Sequence, residues 1–105
     1  MSKQSIYWLS YDLGSKGNFD ELYKWLNAQD AKECGGSIAT FHSSLTPEEI
    51  KNELEHVIGK DARIYIIWPT EQGLTKGKFL FGKRKAEPPW FGYADDEEDN
   101  EDAEE

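Results

Sequence analysis

The sequence predicts an α+β fold, an antiparallel sheet with two helices on one of its faces, and three observations lead there. Two stretches, Ile6–Leu13 and Ala62–Trp68, are rich in aliphatic and aromatic residues and are apolar at both alternating sets of positions. That pattern belongs to strands in the middle of a sheet. Each of these stretches is separated from the next strand-like segment, or from the one before it, by a helix-length segment with apolar residues at helical spacing. Finally, a Gly35-Gly36 pair stands between the two short extended segments in the centre of the chain, as a hairpin requires.

In β1, expected over Ile6–Leu13, period-two alternation puts Tyr7, Leu9, Tyr11 and Leu13 on one face and Ile6, Trp8, Ser10 and Asp12 on the other. The strand runs out into Gly14-Ser15-Lys16-Gly17, a loop composition. Asn18, with Glu21 three residues on, starts a helix from about Phe19 to about Ala28 or a turn further, whose stripe is Phe19, Leu22, Tyr23 and Leu26, bordered by Trp25. A short strand around Ala31–Cys34 then turns at Gly35-Gly36 into a second, Ser37–His42.

The second helix has the clearest start. Thr46 is the N-cap, Pro47 is N1, and Glu49 at N3 completes a capping box, with Leu45 positioned to staple onto Ile50. Ile50, Leu54, Val57 and Ile58 form its stripe and Gly59 is expected to close it. Ala62–Trp68 is the next strand, stopped by Pro69. Glu71–Gly77 reads as loop and Lys78–Phe81 as a last edge strand. The two prolines in Ala86–Tyr93 exclude helix and central strand, so this piece is expected to run extended over the body, anchored by Trp90 and Phe91.

This order is the split βαβ pattern of a ferredoxin-like sandwich with an extra C-terminal edge strand. Residues 1–93 make the domain and 94–105 a disordered acidic tail. Two helices cover only one face of the sheet. Trp8 and Trp68 are therefore expected on the open face, as the core of a homodimer rather than as a ligand-stacking platform.

Charge is unevenly distributed. Of 21 acidic residues nine lie between Asp95 and Glu105, so the net charge of −9 belongs to the tail and the body holds 12 acidic against 12 basic side chains. A neutral body excludes the strong electrostatic footprint of a general nucleic-acid binder. The tail suggests three roles: solubility, a contact with a basic protein partner, or masking of the chain's own cations. Cys34 is the only cysteine, so neither an intrachain disulfide nor a multi-cysteine zinc site can form. With no leader-like or membrane-spanning segment, the expectation is a cytoplasmic protein without membrane contact.

The opening Tyr7-Trp8-Leu9-Ser10-Tyr11-Asp12-Leu13, the Leu45–Ile50 helix start and the Asp61–Ile67 strand resemble the CRISPR-associated protein 2 family and its stand-alone relatives. The resemblance spans roughly Ile6 to Trp68 and rests on pattern and order. It implies a small ferredoxin-like homodimer, in some members a metal-dependent nuclease on RNA or DNA. One functional position carries over: Asp12, as catalytic and metal-binding carboxylate, meets its twin across the dimer and holds Mg²⁺. The chain departs from the family in offering only Lys16 as a cation soon after that aspartate. Without the resemblance, Asp12 reads as a strand-ending turn former.

Ser10, on the same face, is a candidate outer donor or a tolerated serine, and His42 and His56 read as surface or packing histidines. Lys83, Arg84 and Lys85, following Lys76 and Lys78 and interleaved with Phe79 and Phe81, form the one basic-aromatic cluster. It is read either as a nucleic-acid-contacting edge or as an edge strand guarded by lysines with its phenylalanines in the core. Three functions follow. One is a dimeric divalent-metal-dependent endonuclease; another is a non-catalytic dimeric interaction or regulatory protein on the same scaffold; the third is a nucleic-acid-mimicking inhibitor in which the tail is the functional part.

Overall fold

The computed structural model describes residues 3–14, 17–56 and 61–93. Lys16, Val57, Ile58, Gly59 and the tail from Ala94 onward lie outside the described residues. The elements follow in the order β1 Ser5–Asp12, α1 Phe19–Ala28, β2 Lys32–Gly35, β3 Ile38–Ser43, α2 Pro47–Leu54, β4 Arg63–Pro69 and β5 Thr75–Phe81. The five strands form one antiparallel sheet in the order β2-β3-β1-β4-β5. With two helices, this is an α+β architecture consistent with a ferredoxin-like arrangement in general.

β1 is the axis of the sheet. It pairs with β3 from Ser5↔Ser43 to Ser10↔Ile38 and with β4 from Trp8↔Ile67 to Asp12↔Arg63. Its inward set, Tyr7, Leu9, Tyr11 and Leu13, is buried with Ala39 and Phe41 of β3, Ile64 and Ile66 of β4, and Leu22, Leu26, Ile50 and Leu54 of the helices. Both helices therefore pack on one face. The outward set, Ile6, Trp8, Ser10 and Asp12, shares the other face with Arg63, Tyr65 and Ile67.

The helices begin where capping chemistry places them. Asn18 Oδ1 accepts from the Glu21 amide at 3.2 Å. In α2 the reciprocal box is complete: Thr46 Oγ1 accepts from the Glu49 amide at 3.2 Å and Glu49 Oε1 from the Thr46 amide at 2.8 Å. The stripe of α1 is narrower than expected. Leu22 and Leu26 are buried, whereas Phe19 and Tyr23 stay exposed at the margin. α2 spans Pro47–Leu54, and its expected continuation through Val57 and Ile58 to Gly59 lies outside the described residues. The indole of Trp25 stands edge-on to Phe41 at 5.4 Å and donates to Glu53 Oε1 at 2.8 Å, tying α1 both to the sheet and to α2. Tyr7 Oη donates to the Leu45 carbonyl at 2.7 Å, which holds the entry to α2 against β1.

Several boundaries differ from those expected. The β2–β3 turn falls at Gly36-Ser37, one residue later than the Gly-Gly pair, because Gly35 is drawn into a β-bulge. β5 begins at Thr75 rather than Lys78, since the β4–β5 connection is a tight turn around Gly73, at φ 86°. There the Thr70 amide donates to Leu74 O at 2.6 Å and the Leu74 amide to Thr70 Oγ1 at 3.1 Å. The Ala86–Tyr93 segment is folded into turns, with Phe91 N donating to Pro88 O and Tyr93 N to Trp90 O. Trp90 at 70 % and Phe91 at 62 % exposure are not anchors.

Candidate functional site

Asp12 is the last residue of β1, on the face without helices, and its register partner in β4 is Arg63. Antiparallel partners point to the same side, so the guanidinium Nη2 meets Asp12 Oδ2 at 3.3 Å. Arg63 Nη1 also donates to the Lys83 carbonyl at 3.5 Å. One arginine thus connects the strand-ending carboxylate to the segment that carries the three consecutive cations. The structure brings together two features that the sequence analysis treated separately. Arg63 was the missed residue. The signal was present: a strand ending in a carboxylate and an antiparallel strand beginning with an arginine place opposite charges at one end of the ladder.

The pair is solvent-exposed, with side-chain exposures of 31 % and 58 %, so its contribution to stability is small. Its chemical consequence is larger. A carboxylate beside a guanidinium is already charge-compensated, and a dication brought to it meets that cation. Among the described residues no group of three or more His, Cys, Asp or Glu is assembled. Asp12 alone is too small a donor set for Mg²⁺, which takes several oxygen ligands. Within one chain the residues present do not fit the ion, and no step is derived through it. His42 pairs with Ile6 at the opposite end of β1, about 20 Å of strand away. It lines a shallow hollow with Gln4 and Ile6 instead. His56 and Cys34 are exposed. Ser10 lies opposite Tyr65 and is exposed.

The two expected interface tryptophans are separated, which is a correction. Trp8 lies on the open face opposite Ile67. Trp68, one residue on, points the other way and packs against the core, its ring 6.3 Å from that of Tyr7. The parity of the β1–β4 register decides this: Leu9 opposite Ile66 is core, and alternation then makes Trp68 core and Ile67 open. The open face therefore carries Ile6, Trp8, Tyr65, Ile67 and Phe79, all partly buried. Tyr65 stands edge-on to Phe79 at 4.8 Å. Its ring also covers Gly77, where a Cβ would come within 2.7 Å of the phenol.

The basic-aromatic edge is mixed. Lys78 turns towards α2 and pairs with Glu48 at 2.6 Å, which holds the Glu48 carboxyl below its usual value. Phe81 packs against the core as expected, but Phe79 lies on the open face, with the Arg84 guanidinium carbon 5.8 Å from its ring centre. Lys83, Arg84 and Lys85 are all exposed. Arg63, Phe79, Arg84, Lys85 and Trp90, with Pro88 and Pro89, line a cavity of about 550 Å³.

No family model matches the chain, and neither do any curated proteins or solved structures. No described helix is long and apolar enough to cross a membrane.

Proposed function

We propose that the chain is a ferredoxin-like, split βαβ homodimeric interaction protein without catalytic activity, whose dimer forms through the open face of the sheet. The observation that carries this reading is the apolar row Trp8, Tyr65, Ile67 and Phe79 on the face that no helix covers. Aromatic and aliphatic groups on one face of a small sheet gain most by meeting a copy of themselves across a two-fold axis. The Asp12–Arg63 pair supports the absence of catalysis, because the one candidate carboxylate is compensated within its own chain.

A second reading is favoured by the position of Asp12 on that same open face. A dimer through this face brings two Asp12 carboxylates towards one another, as in a divalent-metal-dependent nuclease resembling the CRISPR-associated protein 2 family. The acidic tail, outside the described residues, would then act on a basic partner or aid solubility.

Sedimentation of the full chain across micromolar concentrations separates these outcomes. Dimer for the native chain and monomer for Trp8→Ser, with the circular dichroism of a folded domain in both, is expected; monomer alone for the native chain overturns the dimer. Incubation of short RNA and DNA with Mg²⁺ or Mn²⁺ tests catalysis. No cleavage by the native chain is expected. Cleavage that disappears in Asp12→Ala replaces the first reading with the second.

A further inference from the structure

The cavity beside the Asp12–Arg63 pair adjoins the open face, shares Phe79 with its apolar row and extends beyond it to Trp90. It is formed where the chain leaves β5, crosses in front of Phe79 through Arg84 and Lys85, and turns back at Pro88-Pro89-Trp90. Its chemistry is of two kinds. One wall carries cations: Arg84 and Lys85, neither in an ion pair with any described residue, and Arg63, whose charge Asp12 offsets. The other walls are flat and apolar: the ring of Phe79, the two prolines, and the indole of Trp90.

Trp90 is the unusual member. A tryptophan exposed at 70 % contributes nothing to the core, and its neighbours Pro88 and Pro89 restrict the backbone that carries it. An exposed indole next to cations that pair with no described carboxylate is matched by a ligand with one planar ring and one dense negative charge. The volume, about 550 Å³, accommodates one ring and one phosphate together.

We propose that this cavity binds a nucleotide unit, its base stacked on Trp90 and its phosphate held by Arg84 and Lys85. Phe79 positions Arg84 by the cation–π contact, and Arg63 stays with Asp12. The same chemistry is offered by a free mononucleotide and by one unit of a single strand.

Titration of the full chain with AMP, with a ten-residue single-stranded DNA, with adenosine and with inorganic phosphate tests it, read by tryptophan fluorescence and by calorimetry. Expected is saturable binding of AMP that quenches fluorescence, with adenosine and phosphate each weaker. Trp90→Ala loses the quench and about tenfold in affinity, and Arg84→Ala loses about tenfold with the quench retained at saturation. Both side chains are exposed, so both variants keep the fold, which circular dichroism checks. Equal affinity per site for AMP and the oligonucleotide assigns the free nucleotide, and tighter binding of the strand assigns the single-stranded unit. The proposal is overturned if neither binds at millimolar concentration, if phosphate alone binds as well as AMP, or if Trp90→Ala binds as the native chain does. Phe79 is shared with the dimer row, but Trp90, Arg84 and Lys85 lie outside it; Trp8→Ser is expected to bind AMP as a monomer, so failure of one proposal leaves the other standing.

Discussion

At the scale of single residues, the chemistry turns on which neighbour the register delivers. Asp12 was legible as a strand-ending carboxylate, but its partner lies 51 positions away, and only the β1–β4 ladder makes Arg63 that partner. Gly82 controls the same contact from outside the strand. It sits at φ 80°, and a Cβ there would come within 2.6 Å of Arg63 Cγ and 3.0 Å of the Ala62 carbonyl. Gly82→Ala is therefore expected to destabilise the fold by about 1–2 kcal/mol through the left-handed backbone alone. It should also displace Arg63 from Asp12; urea melts measure the first effect and an Arg63 side-chain NMR shift the second. The buried tyrosines give a pH signature. Burial raises the pKa of Tyr7, and burial with the Tyr23 hydroxyl raises that of Tyr11, both above 10.0. For a group whose folded value is raised, the stabilisation is complete below the unfolded value and is lost as pH climbs through the folded one. Stability should thus hold up to about pH 9 and fall above about pH 10. Tyr7→Phe, which also loses the bond to Leu45 O, should be less stable by about 1 kcal/mol at neutral pH and show a shallower alkaline loss.

Elements were legible wherever a local signal specified them. The capping box of α2 is a sequence motif before it is a structure, and Thr46, Pro47 and Glu49 occupy the expected positions. Thr46→Ala should cost about 1 kcal/mol, seen as a lower thermal midpoint with the fold retained. The margins were less legible. α1 buries only Leu22 and Leu26, because tertiary contacts rather than spacing decide which margin of a stripe is covered. The faces of β4 were the costliest ambiguity. Ile64–Trp68 is apolar at both parities, so alternation alone could not say whether Ile66 and Trp68 or Tyr65 and Ile67 faced the helices. The partner strand decided it, and turned Trp68 to the core side. The C-terminal arm failed for a different reason: its prolines excluded helix and strand but carried no information on which aromatic would find a partner.

For the whole molecule, the α+β class, the antiparallel sheet and the two helices follow from element order, which a small domain converts into layers with little freedom. The site was legible only in parts, since it is assembled from the end of β1, the start of β4 and the exit from β5. A dimer built on the open face makes thermal stability depend on concentration, with a midpoint that rises on concentrating the native chain. The same series on Trp8→Ser should be flat.

The central place of β1 has a temporal consequence. Among the strands of this sheet it is made first, yet it waits for both neighbours, because β3 supplies one about 30 residues later and β4 the other about 55 residues later. Until residues 63–69 have emerged, one edge of an aromatic-rich strand has no partner. This is the condition under which nascent chains associate with the wrong neighbour. The balance of the native sheet thus rests on an interval during synthesis in which its central, aromatic-rich strand has an open edge.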